Sequence, residues 1–82
     1  MVKLTNILIL DECCHRDLIK FLSKRYNVLI PKIGLNDDTI LEMAVMLDAY
    51  ILTYDATFPA YSKLIKAHSY SDAKYKTAQA IR

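Results

Sequence analysis

Short unbroken apolar runs alternate along this chain with longer segments whose apolar residues recur at helical spacing. The first run, within Leu4–Leu10, reads as a strand buried on both faces. A second strand over Tyr26–Ile30 is closed by Pro31, which has no N–H to continue a ladder. A third covers Tyr50–Tyr54. Between the first two, Leu18, Ile19, Phe21 and Leu22 predict a helix over Arg16–Lys24. Between the last two, the spacing predicts a helix over Asp38–Ala49 that is apolar nearly all round, as in a helix covered on more than one side. The only glycine, Gly34, falls in the loop before it, where positive φ is expected, and Asn36 or Asp37 is placed to cap it. Strands alternating with helices of this length predict a β-α-β-α-β unit with right-handed crossovers and a parallel sheet.

Beyond Asp55 the pattern weakens. Phe58-Pro59-Ala60-Tyr61 leads into an expected short helix carrying Leu64 and Ile65. A last helix is expected over Ser71–Arg82, capped by Ser71 or Asp72, with Tyr75, Ala78 and Ile81 at three-residue spacing. The expectation is one α/β domain over residues 1–82, with a βαβαβ core over 1–58 and a helical segment over 59–82. Its three-stranded sheet would keep open edges unless the C-terminal helices or a partner chain cover them. Those edges and the all-round apolar second helix predict a homodimer.

Eighty-two residues lie near the lower limit for a self-sufficient core, and 54% hydrophobic content with one glycine argues against disorder. No apolar run approaches the roughly 20 residues that span a bilayer. The N-terminal residues lack the features of a signal peptide. Cys13 and Cys14 are adjacent, so they cannot staple distant segments, and they suit a reducing compartment. A cytoplasmic protein that does not enter the membrane is expected. Cys13-Cys14-His15 lacks the spacing and the second ligand pair of a soft-metal site. One glycine excludes a P-loop and a G-x-G-x-x-G turn, and no nucleophile elbow is present.

The candidate chemistry lies in carboxylates. Two apolar runs end in them, Ile7–Leu10 in Asp11-Glu12 and Ile51–Tyr54 in Asp55, and sites in open parallel sheets form outside the carboxyl ends of strands. Asp11 reads as a metal ligand or a helix cap, and Glu12 as a second ligand or a solvated side chain. Asp37 and Asp38 read as site residues or as helix-start acids. Glu42, four residues after Asp38, shares its helix face. Thr53 lies on the same side of its strand as Asp55. Clustered carboxylates are tolerated mainly around a hard cation. Net charge is also divided. Residues 1–55 carry six basic and eight acidic residues, whereas 56–82 carry Lys63, Lys66, Lys74, Lys76 and Arg82 against Asp72 alone. A basic tail beside an acidic face suits a phosphate backbone, or is simply a solvated helix face.

Taken in order, Ile7-Leu8-Ile9-Leu10-Asp11-Glu12, Gly34-Leu35-Asn36-Asp37-Asp38-Thr39-Ile40-Leu41-Glu42-Met43-Ala44 and Ile51-Leu52-Thr53-Tyr54-Asp55-Ala56-Thr57-Phe58 resemble the short PIN-like domains over about residues 5–60. The resemblance implies a Rossmann-like three-layer fold, with helices on both faces of the sheet. It also implies Mg²⁺- or Mn²⁺-dependent cleavage of RNA, often as the toxin partnered by a cognate antitoxin. By position it assigns Asp11, Asp37 and Asp55 to the acidic metal site, with Thr53 beside it. Glu12, Asp38 and Glu42 would be accessories, and Lys63, Lys66, Lys74 and Lys76 would contact nucleic acid. Such domains usually continue into a further strand and helix, which the residues after Phe58 do not announce. The alternative reading is a non-catalytic module of the same fold that binds nucleic acid or protein.

Overall fold

The computed structural model describes residues 6–11, 16–32 and 34–81. Among them run β1 (Ile7–Leu10), α1 (Arg16–Ser23), β2 (Asn27–Leu29), α2 (Asp37–Leu47), β3 (Tyr50–Thr53), β4 (Leu64–Lys66) and α3 (Tyr70–Ala80). All four strands are parallel, in the order β2-β1-β3-β4. The chain is therefore an α/β protein of Rossmann-like class, but the sheet has four strands where three were expected. Leu64 and Ile65 lie in β4, not in a helix. Two apolar residues carry no period, and pairing of Ile51, Leu52 and Thr53 with Leu64, Ile65 and Lys66 decides the segment instead.

Side-chain alternation divides the core. Leu8, Leu10, Leu52 and Ile65 face one way and pack with Leu18 and Leu22 of α1 and Ala73 of α3. Ile7, Ile9 and Ile51 face the other way and pack with Ile40 and Ala44 of α2 and with Phe58. Helices thus cover both faces. An eight-residue helix is unstable alone, so α1 depends on Leu18 and Leu22, each contributing about 1.5–3 kcal/mol when buried.

The capping chemistry is partly as read. Asn36 caps α2, its side chain accepting from the Thr39 N–H at 2.8 Å, and Gly34 has φ +95°. At the far end Asp48 takes the left-handed conformation at φ 52°, tolerated in Asp at a helix terminus. Lys63 ties it there through a 2.8 Å ion pair. Helix α3 begins earlier than expected, because Ser69 is the cap. Its hydroxyl accepts from the Asp72 N–H at 3.2 Å, and the Asp72 carboxylate accepts from the His68 N–H at 2.9 Å. Its inward stripe is Ala73, Thr77 and Ile81, spaced by four, while Tyr75 is 64% exposed. Helix α2 also departs from expectation. Only Ile40 and Ala44 are buried, while Val45, Met46 and Leu47 are exposed, because the sheet covers one side of it. No helix among the described residues is long and apolar enough to cross a membrane.

Candidate functional site

The order β2-β1-β3-β4 places the third strand on the far side of the first. The connection after β1 therefore leaves towards β2, and the connection after β3 leaves towards β4. Strands β1 and β3 are the pair at which the winding reverses, and the crevice outside their carboxyl ends is where open α/β sheets hold ligands. Asp11 directly follows β1, and Asp55 stands two residues past the end of β3.

Thr53 joins these acids. It is fully buried at the end of β3, and its hydroxyl donates to Asp11 Oδ2 at 2.7 Å. The Thr53 Oγ1 itself accepts the Asp55 N–H at 3.0 Å. The Asp11 N–H donates to the Leu52 carbonyl at 3.0 Å, so the ladder continues one residue past β1 and holds Asp11 in register. A buried hydroxyl between a carboxylate and a backbone N–H has little rotational freedom, so the Asp11 carboxylate is held by structure rather than by solvent.

Asp55 is exposed, and its Oδ1 accepts from both the Thr57 hydroxyl at 2.7 Å and the Thr57 N–H at 2.9 Å. The Thr57 hydroxyl first, and its N–H next, hold the Asp55 carboxyl below the ordinary range, with help from the charge of Lys66. Lys66, at the end of β4, donates to the Ala56 carbonyl at 2.9 Å, which fixes its ammonium beside the same loop. Thr57 was not anticipated. The signal was present as Asp55-Ala56-Thr57, since an Asp two residues before an N–H donor is a common local turn.

Asp37 and Asp38 open α2, with Asp38 and Glu42 exposed. No three His, Cys, Asp or Glu side chains converge as a metal-holding group among the described residues. Glu12 lies outside the described residues, as do Cys13, Cys14 and His15. The four lysines have separate environments. Lys63 is engaged by Asp48 at 2.8 Å, and Lys76 by Asp72 at 3.2 Å and by the Lys66 carbonyl at 3.0 Å. Lys66 borders the Asp55 loop, and Lys74 stacks over the rings of Phe21 and Tyr70.

The chain matches no protein-family model, and it yields no match among curated proteins or solved structures.

Proposed function

We propose that this chain is a PIN-like domain that hydrolyses RNA phosphodiesters with a carboxylate-bound Mg²⁺ or Mn²⁺, acting as a toxin with a cognate antitoxin. The observation that supports this most is the Asp11–Thr53–Asp55 arrangement at the reversal point of the sheet. Magnesium is commonly held by one or two carboxylates together with substrate phosphates. The oxygen donors of Asp11 and Asp55 fit that requirement, and Asp37 is the third acid assigned by resemblance. A bound cation would lower the pKa of a water and offset charge on the scissile phosphate.

The residues of the chain have distinct parts in this reading. Thr53 orients the Asp11 carboxylate. Thr57 and Lys66 favour the ionised form of Asp55 that a cation would need. Lys66 adds a fixed positive charge beside the loop that receives the phosphate. A homodimer belongs to the proposal, because Leu29, Ile30, Val45, Met46 and Leu47 are exposed apolar residues near the open edge of the sheet.

A second reading, a non-catalytic module of the same fold, is favoured by the absence of a converging three-acid group among the described residues. The two separate in one experiment. Purified chain is incubated with labelled RNA and Mg²⁺ or Mn²⁺, and its melting temperature is measured with and without metal. The nuclease reading expects cleavage and a metal-induced rise in Tm, both abolished in Asp11→Asn. Intact RNA, with a metal response unchanged in Asp11→Asn, overturns it.

A further inference from the structure

Five cations lie on one side of the molecule, along α1, the turn after it and α3, and of these only Lys74 was expected to contact nucleic acid. Arg16 and Lys20 share a face of α1, Lys24 and Arg25 follow its end, and Lys74 stands on α3. None of the five forms an ion pair among the described residues, in contrast to Lys63 and Lys76. On the opposite side, α2 carries Asp37, Asp38 and Glu42 and no basic residue. The two helical layers are therefore opposite in charge.

The centre of the basic side is unusual in its geometry. Arg25 sits 4.8 Å from the centroid of the Phe21 ring, and Lys74 sits 4.3 Å from the same centroid. The two cations are thus at most 9.1 Å apart, the sum of those distances. Lys74 also lies 5.1 Å from the Tyr70 ring. Ring faces attract each cation, but they do not cancel the repulsion between the two, and anions bound at them would offset it. Beside Arg25 opens a polar hollow of about 300 Å³ lined by Asn6, Ser23, Lys24, Arg25, Tyr26 and Asn27. Two anion-attracting positions therefore adjoin, with Arg25 common to both.

We propose that the α1/α3 side binds single-stranded RNA. Phosphates of the strand contact Arg25 and Lys74 beside the Phe21 ring and the hollow at Lys24, and the exposed Tyr75 ring offers a stacking plane for a base. The identity of the strand as RNA rests on the proposed function, whereas the anion site rests on the geometry alone. A polyanion fits because adjacent cationic positions reward linked charges, and because aromatic planes beside cations suit bases. A membrane surface fits poorly. Helix α1 exposes Arg16, Asp17, Lys20 and Ser23, its Ile19 and Phe21 are half-buried against the core, and the large exposed aliphatic residues belong to α2 and the β2 region. This surface would hold the strand away from the Asp11 crevice, by contacts that are independent of the metal.

The test is fluorescence anisotropy with a labelled uridine oligomer of about 12 nucleotides, long enough to span one single-strand site, and the full chain, in EDTA, over a salt series. EDTA and an Asp11→Asn background separate binding from hydrolysis. Binding is expected to persist in both and to weaken roughly tenfold in Arg25→Gln/Lys74→Gln. The slope of log K against log salt is expected to fall by about 1.4, for two lost single-strand phosphate contacts. Lys24→Gln, on an exposed side chain, reads the hollow separately if the double variant melts early. Unchanged affinity and slope in these variants overturn the site, as does equal binding of a poly-glutamate peptide or preferential binding of phosphatidylserine vesicles. Binding that depends on Arg25 and Lys74, without cleavage under Mg²⁺ or Mn²⁺, supports the site and removes only the catalytic reading.

Discussion

The Thr53 hydroxyl donates to the Asp11 carboxylate across 2.7 Å, joining the ends of two strands 42 residues apart in sequence. Thr53→Val keeps the shape and removes the hydroxyl, leaving both the Asp11 carboxylate and the Asp55 N–H without that partner. A hydrogen bond to a charged group contributes about 1.5–3 kcal/mol, so Tm is expected to fall by roughly 6–24 °C. Thr53→Ser is expected to recover most of the loss. Equal melting of Thr53→Val and the parent sinks the assignment.

Acid is expected to destabilise the chain partly through Asp55 and Asp72. Hydrogen bonds from Thr57 depress the first carboxyl, and the His68 N–H, followed by Lys76, depresses the second. A carboxyl depressed on folding contributes stability that is fully present above its unfolded pKa and is lost as pH falls through its folded value. Unfolding by urea, followed from near neutrality down to strongly acid solution, should therefore show stability falling below about pH 4. Thr57→Ala should flatten that fall, and Asp72→Asn should flatten it further. A profile indifferent to both changes refutes these two carboxyls as its origin.

Thr77 is fully buried on α3, and its hydroxyl has no hydrogen-bond partner among the described residues. Replacing it with Val removes an unsatisfied polar atom at nearly constant volume. A gain of about 1 kcal/mol is expected, which raises Tm by roughly 4–8 °C in a domain of this size. A lower melting temperature in Thr77→Val would show that the hydroxyl is satisfied after all.

Met46 is 86% exposed, beside Val45 at 61% and Leu47 at 42%. A groove of about 390 Å³, lined in part by Val28, Leu29 and Leu47, runs between this helix end and β2. Sedimentation equilibrium at micromolar concentration should give a dimer for the parent chain and a monomer for Met46→Glu. A parent that sediments as a monomer removes the dimer from the proposal.

Much of the frame is legible in the order of residues. Ile7–Leu10 and Tyr50–Thr53 announce buried parallel strands because they are apolar on both faces. The carboxylates that follow them are therefore brought to one edge by topology. Asn36 announces its helix start because the capping bond to Thr39 is local. The segment Leu64–Lys66 is silent for the opposite reason, since three residues become a strand only by pairing with β3, some 13 residues earlier in register. Helix α2 misleads by composition. Its all-round apolar sequence specifies no particular cover, and within one chain only Ile40 and Ala44 are fully buried, with Leu41 and Met43 partly packed beside them. Lys74 reads as one of several lysines for nucleic acid, and only tertiary packing brings it and Arg25 onto the same Phe21 ring.

The central place of β1 has a consequence for how the molecule assembles in time. Ile9 pairs with Leu29 on one side and with Ile51 on the other, so its second neighbour is the more distant in sequence. During synthesis β1 can find β2 early, but its other edge waits until residues 50–53 have emerged and docked. Closing that larger loop is the costlier entropic step, and it is expected to come later. The Asp11–Thr53 bond forms only with that docking. A probe at residue 11 would therefore time the closing of the sheet, and the carboxylate pair would be among the last features of the native state to appear.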